Sequence, residues 1–312
     1  MNASFYLFNV DHGQCAAIHL PNGRWCIFDA GCTTGFSPIS WLATAVSRPK
    51  ISTPLADALA IPATFSIYKA TVSHLHCDHL DDYANLFKYS PQFLRTLDPD
   101  ESYLIDCEST CAGGSWAKVC GFLRHRQQNF GPATLSADYG GVSISELSLP
   151  VGVARRVGGD ANARVNNASV VTRIDVYGNS ILICGDVEKE AWEAIINDTG
   201  DYGRVWRPFL ANADILVAPH HGHSSGYSVD LLNLVRPSVV LISVMSRDEH
   251  VDSRYSGAPV AGIRIGDTDY RYISTRKQGH IRVQIAPPTN ALMIGPKGKR
   301  IWFFGNEALG IG

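Results

Sequence analysis

The stretch 71-TVSHLHCDHL-80 decides how the rest of the chain is interpreted. Four metal-capable side chains lie within six residues of it: His74, His76, Asp78 and His79. The apolar run 66-SIYKATVS-73 that leads into them predicts a β-strand. Because alternate residues of an extended chain point to the same side, the first two histidines can reach one metal ion together. A turn after them can present the aspartate and the last histidine to a second ion.

Metal-capable residues also follow two other apolar strands. Residues 180-SILICGD-186 end in Asp186, and 214-DILVAP-219 is followed by 220-HHGHSS-225. A buried carboxylate is costly unless something compensates its charge, and a metal ion would do so. Strand ends can converge along one edge of a sheet, and a carboxylate such as Asp186 can bridge two ions. The three clusters are therefore expected to form one site.

Asp29 ends a further apolar strand, 24-RWCIFDAG-31. An aspartate in this place can cap the loop that follows. It can also accept a hydrogen bond from a metal-bound histidine and so orient the imidazole. The metal-capable clusters elsewhere in the chain favour the second interpretation.

The composition is that of an ordinary globular protein. The chain has 312 residues, of which 45% are hydrophobic and 18% charged, enough for a sizeable core. Its formal net charge is −2, so the composition as a whole does not support a nucleic-acid partner. Any basic surface must be local.

The start of the chain and its cysteines favour a cytoplasmic protein. Residues 1-MNASFYLFNV-10 have no positively charged region and read as a strand. No apolar run reaches the length of about 18 residues that spans a bilayer, so no membrane segment is expected. Without a secretory signal, the eight cysteines are expected to be reduced. Cys107, Cys111 and Cys120 are close in sequence, but a fourth ligand at a recognised spacing is not evident.

Sequence patterns predict a mixture of strands and helices, with three assignments that matter below. Residues 102-SYLIDC-107 predict a strand, 155-RRVGGDANARVNN-167 a loop, and 270-YRYISTRKQGHIRVQI-285 a hairpin. A second hairpin is expected over 292–305, and a loop with one or two short helices over 36–65.

Several segments together resemble one protein family. HLHCDH (74–79) resembles the HxHxDH signature of the metallo-β-lactamase superfamily. Four more segments, in the same order, resemble its ComEC-like branch, which is named for the metallohydrolase domain of bacterial DNA-uptake channels. They are 4-SFYLFNVDHGQCAAIHLPNGRWCIFDAG-31, 166-NNASVV-171, 182-LICGDVEKEA-191 and 214-DILVAPHHGHSSG-226.

The resemblance implies an α+β fold, the four-layer αββα sandwich, in which two β-sheets lie face to face with helices outside. We expect a single domain over residues 1–312, with an inserted region at about 81–165 and a C-terminal hairpin extension at about 270–312. A pair of divalent metal ions, Zn or Mn, is implied at one edge.

The resemblance also implies a role for each metal-capable residue. In this reading His74 and His76 bind the first ion, and Asp78 and His79 bind the second. Asp186 bridges the two ions. His220 is preferred as the residue that completes the second position, because it directly follows the strand, and His221 remains an open rival.

The sequence departs from the family in two places. The usual additional histidine before the bridging aspartate has no clear match, and the NN-x-S segment occupies that interval. Asn167 and Ser169 are therefore candidates for surrounding the first metal or contacting a substrate oxygen. In 10-VDHGQCA-16 the branch pattern is altered and His12 is new. It is either a substrate contact or a loop histidine.

The leading functional hypothesis is a phosphodiesterase or nuclease that uses a metal-activated water. Asp78 can accept a hydrogen bond from that water, and His221 or His223 could protonate a leaving group. Local cationic groups could bind phosphates: Arg124/His125/Arg126, Arg155/Arg156, Arg271, Arg276/Lys277 and Arg282. The alternatives are a hydrolase of a lactone, thioester or phosphocholine-type ester, and a metal-stabilised, non-catalytic module that binds partner proteins.

Overall fold

The computed structural model describes residues 1–47, 65–111, 115–129, 138–245, 251–265, 267–287 and 301–304. The strands, numbered in chain order, are β1 (Ala3–Leu7), β2 (Ala16–His19), β3 (Trp25–Phe28), β4 (Ile67–Thr71), β5 (Phe93–Arg95), β6 (Ser143–Leu147), β7 (Val171–Val176), β8 (Asn179–Ile183), β9 (Ile215–Val217), β10 (Val239–Ile242), β11 (Ile263–Ile265), β12 (Thr268–Tyr270), β13 (Tyr272–Ser274), β14 (Ile281–Ile285) and β15 (Ile301–Phe304). The helices are α1 (Pro38–Ser47), α2 (Tyr83–Lys88), α3 (Glu101–Thr110), α4 (Trp116–Asn129), α5 (Val151–Val157), α6 (Ala161–Asn166), α7 (Lys189–Asn197), α8 (Asp201–Leu210), α9 (Val229–Val235) and α10 (Thr275–Gln278).

Two mixed β-sheets dominate the described part of the chain. One has seven strands in the order β15-β14-β1-β2-β3-β4-β5, and the other has six in the order β13-β10-β9-β8-β7-β6. Strands β3 and β4 are parallel neighbours in the first sheet, and β8 and β9 are parallel neighbours in the second. Parallel neighbours end at the same edge of a sheet. The segments that carry the metal-capable residues therefore leave each sheet side by side.

A hydrophobic core fills the space between the sheets. On β8, Ile181 and Ile183 belong to this core together with Phe5 of β1. Leu182, between them in sequence, belongs to the other hydrophobic cluster, as expected when successive side chains of a strand alternate between faces. A buried ion pair also joins the sheets, because Lys69 Nζ of β4 lies 2.6 Å from a carboxylate oxygen of Glu146 on β6.

Helices pack on the outer faces of the sheets. The outward-facing strand residues share one cluster with helical residues such as Leu42 of α1 and Trp192 of α7. In α1, the Trp41 ring lies 5.9 Å from the Phe8 ring, just after β1. On the second sheet, Arg173 of β7 donates hydrogen bonds to carbonyls at the end of α8. This helix–sheet–sheet–helix order confirms the predicted α+β fold class.

Three predictions of secondary structure are wrong. Residues 102–107 lie in helix α3, where the Asp100 side chain caps the first turn by accepting from the Tyr103 amide. Residues 155–167 contain the end of α5 and all of α6, separated by two left-handed glycines. Strands β13 and β14 within 270–285 lie in different sheets and do not form a hairpin. Helix capping, glycines with positive φ and long-range strand pairing determine these three segments, and local composition alone does not reveal them.

Two other expected segments are described only in part. Helix α1 lies within 36–65, but residues 48–64 fall outside the described residues, as do 292–300 and 305 of the expected second hairpin. The described part of that expected hairpin is β15, which pairs antiparallel with β14 of the preceding segment. The single domain with an insertion near 81–165 remains a prediction. Within the described residues, no helix is long and apolar enough to cross a membrane.

Replacing a side chain of the core between the sheets should destabilise the fold strongly. Phe5 is fully buried, so Phe5→Ala is expected to lower the free energy of unfolding by about 3–5 kcal/mol through lost contacts and a cavity. The control, Ile105→Ala, changes a residue that is 60% exposed and should cost about 0.5 kcal/mol or less. Urea unfolding measures both, and equal losses would contradict this account of the core.

Candidate metal centre

The Asp29 carboxylate holds the ends of β3 and β4 together. One oxygen accepts a 2.6 Å hydrogen bond from the Ser73 amide. The other lies 2.9 Å from His79 Nδ1 and also accepts from the Gln14 side chain at 3.0 Å and from the Ser73 hydroxyl at 3.0 Å. Asp29 has a left-handed backbone, with φ 59°, which turns its side chain toward the motif. The contact on Nδ1 leaves His79 Nε2 facing the centre of the site.

Two backbone contacts fix the turn that carries Asp78. Gly13 has φ 121°, and a Cβ built on it would lie 2.3 Å from the Asp78 carbonyl oxygen. A Cβ on Gly31 would lie 2.6 Å from the same atom. Both positions therefore need glycine, since any side chain would displace the Asp78 peptide.

One group of candidate ligands consists of Asp78, His79 and His221, whose ligand atoms all lie within 4.8 Å of one another. His221 Nε2 is 3.4 Å from Asp78 Oδ2 and 3.4 Å from His79 Nε2. His79 Nε2 is 3.7 Å from the same Asp78 oxygen. The Ser243 carbonyl accepts from His221 Nδ1 at 3.2 Å, so that the opposite nitrogen points into the group.

A second group consists of His74, His79 and Asp186, again within 4.8 Å. His74 Nε2 lies 3.9 Å from Asp186 Oδ2 and 3.1 Å from His76 Nδ1, which brings the HxH pair together. The Ser169 hydroxyl lies 3.2 Å from His74 Nδ1 and accepts from the Asp186 amide. Ser169 therefore positions both a histidine and the shared aspartate.

Asp186 lies between the two groups. Its Oδ1 is 3.3 Å from His79 Nε2, and its Oδ2 is 3.3 Å from His221 Nε2. The carboxylate closes the buried strand β8, as the sequence predicts, and it is only 3% exposed. It is thus placed where one carboxylate could serve two cations.

The structure places His221 beside Asp78 and His79, whereas the His220 side chain points away from them. His220 Nδ1 lies 2.6 Å from the Ser225 hydroxyl and 3.6 Å from Glu188. Both histidines have left-handed backbones, with φ 48° and 53°, a conformation that costs about 1–3 kcal/mol per residue. Because of these two left-handed residues, His221 faces the candidate ligands, whereas His220, which directly follows the strand, faces Ser225. The preference for His220 as a ligand gains no support from these distances.

The charges of the centre depend on one another. Burial alone would raise the pKa of Asp186, but the neighbouring His221 and His79 hold it well below its ordinary value. Burial opposes protonation of His221, yet the Asp186 carboxylate raises its pKa to about 10. The pKa of His79 is also well above its ordinary value, because the opposing effect of burial is outweighed by Asp186, Asp29 and Asp78. Burial and the adjacent His79 lower the pKa of His74, which keeps that imidazole neutral.

These residues fit a pair of divalent cations. Asp186 Oδ1 is a buried oxygen without a hydrogen-bond partner, which is costly unless a further positive group satisfies it. The surrounding donors are imidazole nitrogens and carboxylate oxygens, the types that zinc and manganese accept. The buried imidazole of His74 is already in the neutral form that a metal requires.

The other predicted residues lie around this centre. Asn167 is buried and accepts from the Glu188 amide, so it supports the loop after β8. His12 is exposed at the rim, 3.7 Å from Asp78 Oδ2. The Sγ atoms of Cys77 and Cys111 are 3.9 Å apart, and both residues are free thiols.

Sequence reasoning missed residues that hold the candidate ligands. Ser73 contacts Asp29, His74 and His79, and the only signal for it was its place directly before the motif. Glu188 and Ser225 hold His220, and Ser243 holds His221. Ser243 directly follows β10 and carried no sequence signal, since its contact with His221 is made by the backbone carbonyl.

Comparison with known proteins gives limited matches. No known family model matches the chain. Over 130 residues, 40% of the chain, the sequence is 28% identical to the uncharacterized protein YcaI of Escherichia coli K12. That match spans only 15% of the length of YcaI.

Solved structures with some similarity include metallo-β-lactamase-fold proteins. YhfI of Bacillus subtilis is 14% identical with a TM-score of 0.39, over 78% of this chain and 87% of that one. Human tRNase Z, short form, is 13% identical with a TM-score of 0.42, over 78% and 93%. A diphosphatase of the PhnP family is 9% identical with a TM-score of 0.36, over 78% and 87%. These TM-scores are low, so the description of the fold rests on the sheets and helices themselves.

Asp29→Asn should weaken cation binding. The substitution keeps the size of the side chain but removes the negative charge beside His79 Nδ1, so the imidazole is less well oriented and less basic. We expect zinc affinity to fall by about 10- to 100-fold. Equilibrium dialysis with zinc measures it, with Asp138→Asn as the control because that side chain is 71% exposed. Unchanged affinity in a folded Asp29→Asn protein would contradict this role.

Cation binding at pH 8 should release protons. His221, with a pKa of about 10, and His79, with its raised pKa, carry protons at this pH and must lose them to become ligands. Affinity should therefore rise as the pH increases toward 10.

Zinc titration calorimetry in two buffers of different ionisation enthalpy counts the protons. His221→Ala should release fewer protons than the unaltered protein, and the exposed control His125→Gln the same number. An enthalpy independent of the buffer would show that both imidazoles are already neutral.

Proposed function

We propose that this chain is a metallo-β-lactamase-fold hydrolase that depends on two divalent cations, Zn or Mn, and cleaves a phosphodiester. The observation that carries the proposal is the buried Asp186 carboxylate, which lies 3.3 Å from both His79 and His221 and has one unsatisfied oxygen. A single carboxylate shared between two sets of ligands is the arrangement that a two-cation site requires.

Each residue has an assigned task in this proposal. His74 and His76, with Asp186, would hold the first cation, and Asp78, His79 and His221, with Asp186, the second. When bound, such cations lower the pKa of a coordinated water and stabilise negative charge on a substrate oxygen. The Asp78 side chain is 21% exposed, so it faces the opening and can accept a hydrogen bond from the attacking water.

Proton transfer to the leaving group is assigned to His223 and not to His221. Both nitrogens of His221 are engaged, one with the Ser243 carbonyl and the other between Asp78 and Asp186. His223 Nδ1 contacts the Ser225 hydroxyl at 3.0 Å on the same turn.

Local charges favour a small phosphodiester over a long nucleic acid. Arg155 is paired with Asp106 at 2.6 Å, and Arg126 with Asp98 at 3.2 Å. One arginine of each of these two cationic groups is thus paired with a carboxylate of the same chain. With a net charge of −2, the chain gains little attraction to a polyanion. Contact with nucleic acid, protein partners and a cytoplasmic location remain proposals from the sequence.

Removing a shared or first-position ligand should abolish hydrolysis. With bis-p-nitrophenyl phosphate and added Zn²⁺ or Mn²⁺, Asp186→Asn and His76→Ala are expected to lose about 100-fold or more in kcat/KM, because each removes a cation ligand. The control Asp98→Asn changes a side chain that is 96% exposed and should keep full activity.

The outcome also separates the alternative functions. Activity on an acyl ester or thioester with none on the diester would favour the small-ester hydrolase. A protein that binds cations but hydrolyses none of these substrates, or variants as active as the original chain, would contradict the proposal.

A further inference from the structure

We propose that His12 is an additional protein ligand of the second cation position, the one formed by Asp78, His79 and His221. The inference rests on the metal-binding function proposed above. It assigns a role to the histidine that distinguishes the loop after β1 from the pattern of the resembling branch.

The carboxylate oxygen Asp78 Oδ2 is surrounded by three imidazole nitrogens. His221 Nε2 lies 3.4 Å from it, His79 Nε2 3.7 Å, and His12 Nε2 also 3.7 Å. Asp186 with Asp78, His79 and His221 already gives four protein ligands, so His12 would be a fifth, a number to which zinc sites sometimes expand. At about 2.0–2.2 Å from the metal, the ligand atoms of such a site lie about 3–4 Å from one another. His12 stands as close to the shared oxygen as His79 does.

The ring of His12 also lies beside the ring of His221. Their centroids are 5.4 Å apart, the same spacing within 0.1 Å as the 5.3 Å between His79 and His221. The three rings thus approach Asp78 from different elements: the loop after β1, the metal-binding motif and the turn after β9. His12 is thus the third imidazole beside this carboxylate, next to the group of Asp78, His79 and His221 whose ligand atoms lie within 4.8 Å of one another.

The backbone directly after His12 is held by the same residues that hold the site. The Gly13 carbonyl accepts from the Ser243 hydroxyl at 2.7 Å, and the Gln14 amide donates to the Asp78 carbonyl at 3.4 Å. Ser243 is also the residue whose carbonyl accepts from His221. The loop that carries His12 is therefore tied to the elements that carry Asp78 and His221.

Exposure separates His12 from the other ligands of this position. Its side chain is 61% exposed, whereas those of His79 and His221 are 0% and 7% exposed. His12 can leave the cation by a change of rotamer, whereas the buried imidazoles cannot. It is therefore the ligand that an incoming substrate oxygen would displace.

Cation affinity, measured without any substrate, tests the inference. Zinc and cobalt are titrated calorimetrically into the full chain, His12→Ala, His12→Gln and His221→Ala, with the exposed His125→Gln as the matched histidine control. In His12→Ala, the second binding event should weaken by about 10-fold or more, while the first is unchanged. The visible spectrum of the cobalt form should change as well, since it reports the number of nitrogen ligands.

Double variants locate the effect. If His12 and His221 serve one cation, the loss in His12→Ala/His221→Ala should be smaller than the sum of the single losses, whereas His12→Ala/His76→Ala should show additive losses. Two binding events of original affinity in His12→Ala overturn the inference while the proposed function stands. Equal weakening of both events overturns it too, since that indicates a structural role. Failure of the unaltered chain to bind zinc or cobalt overturns both proposals.

Discussion

The buried carboxylate of Asp29 is the constraint on which the candidate centre depends. A carboxylate that is 2% exposed must receive hydrogen bonds, and this one receives them from the Ser73 amide, from two side chains and from His79. These bonds tie the end of β3 to the segment after β4. They also fix which nitrogen of His79 faces inward. The position of the remaining ligands follows from that orientation, because His79 is common to both groups of candidate ligands.

Two sheets contribute to the centre in different ways. The first supplies the motif turn, whose backbone is held by glycines and hydrogen bonds, while the second supplies Asp186 and His221 from the ends of parallel strands. Convergence at one rim is a consequence of strand direction, since neighbouring parallel strands end together. The two imidazoles with raised pKa then compensate the buried carboxylates. Ligands that belong to remote parts of the sequence become electrostatically coupled in this way.

Local rules predict many of the individual strands and the clusters of metal-capable residues, whereas the class of fold was implied by the resemblance of five segments to a known family. Alternating apolar runs give strands, and polar residues at strand ends give sites. The sequence does not predict the choice between His220 and His221. That choice depends on a left-handed backbone at two successive residues, a conformation that is uncommon for residues other than glycine. Helix α3 was missed because its apolar residues are few, and its first turn is fixed by the Asp100 cap. The partners of Arg155 and Arg126 lie 49 and 28 residues away, beyond the reach of pattern analysis.

The packing of Gly13 and Gly31 against the Asp78 carbonyl has a consequence for dissecting the protein. A fragment that begins at β4 would contain every residue of the two proposed cation positions except His12. It would nevertheless lack the hairpin that supports the motif turn from outside, together with the Asp29 carboxylate. Such a fragment would carry the right donors on an unsupported loop. Minimal versions of this centre must therefore include the N-terminal strands, although the recognisable motif begins far downstream.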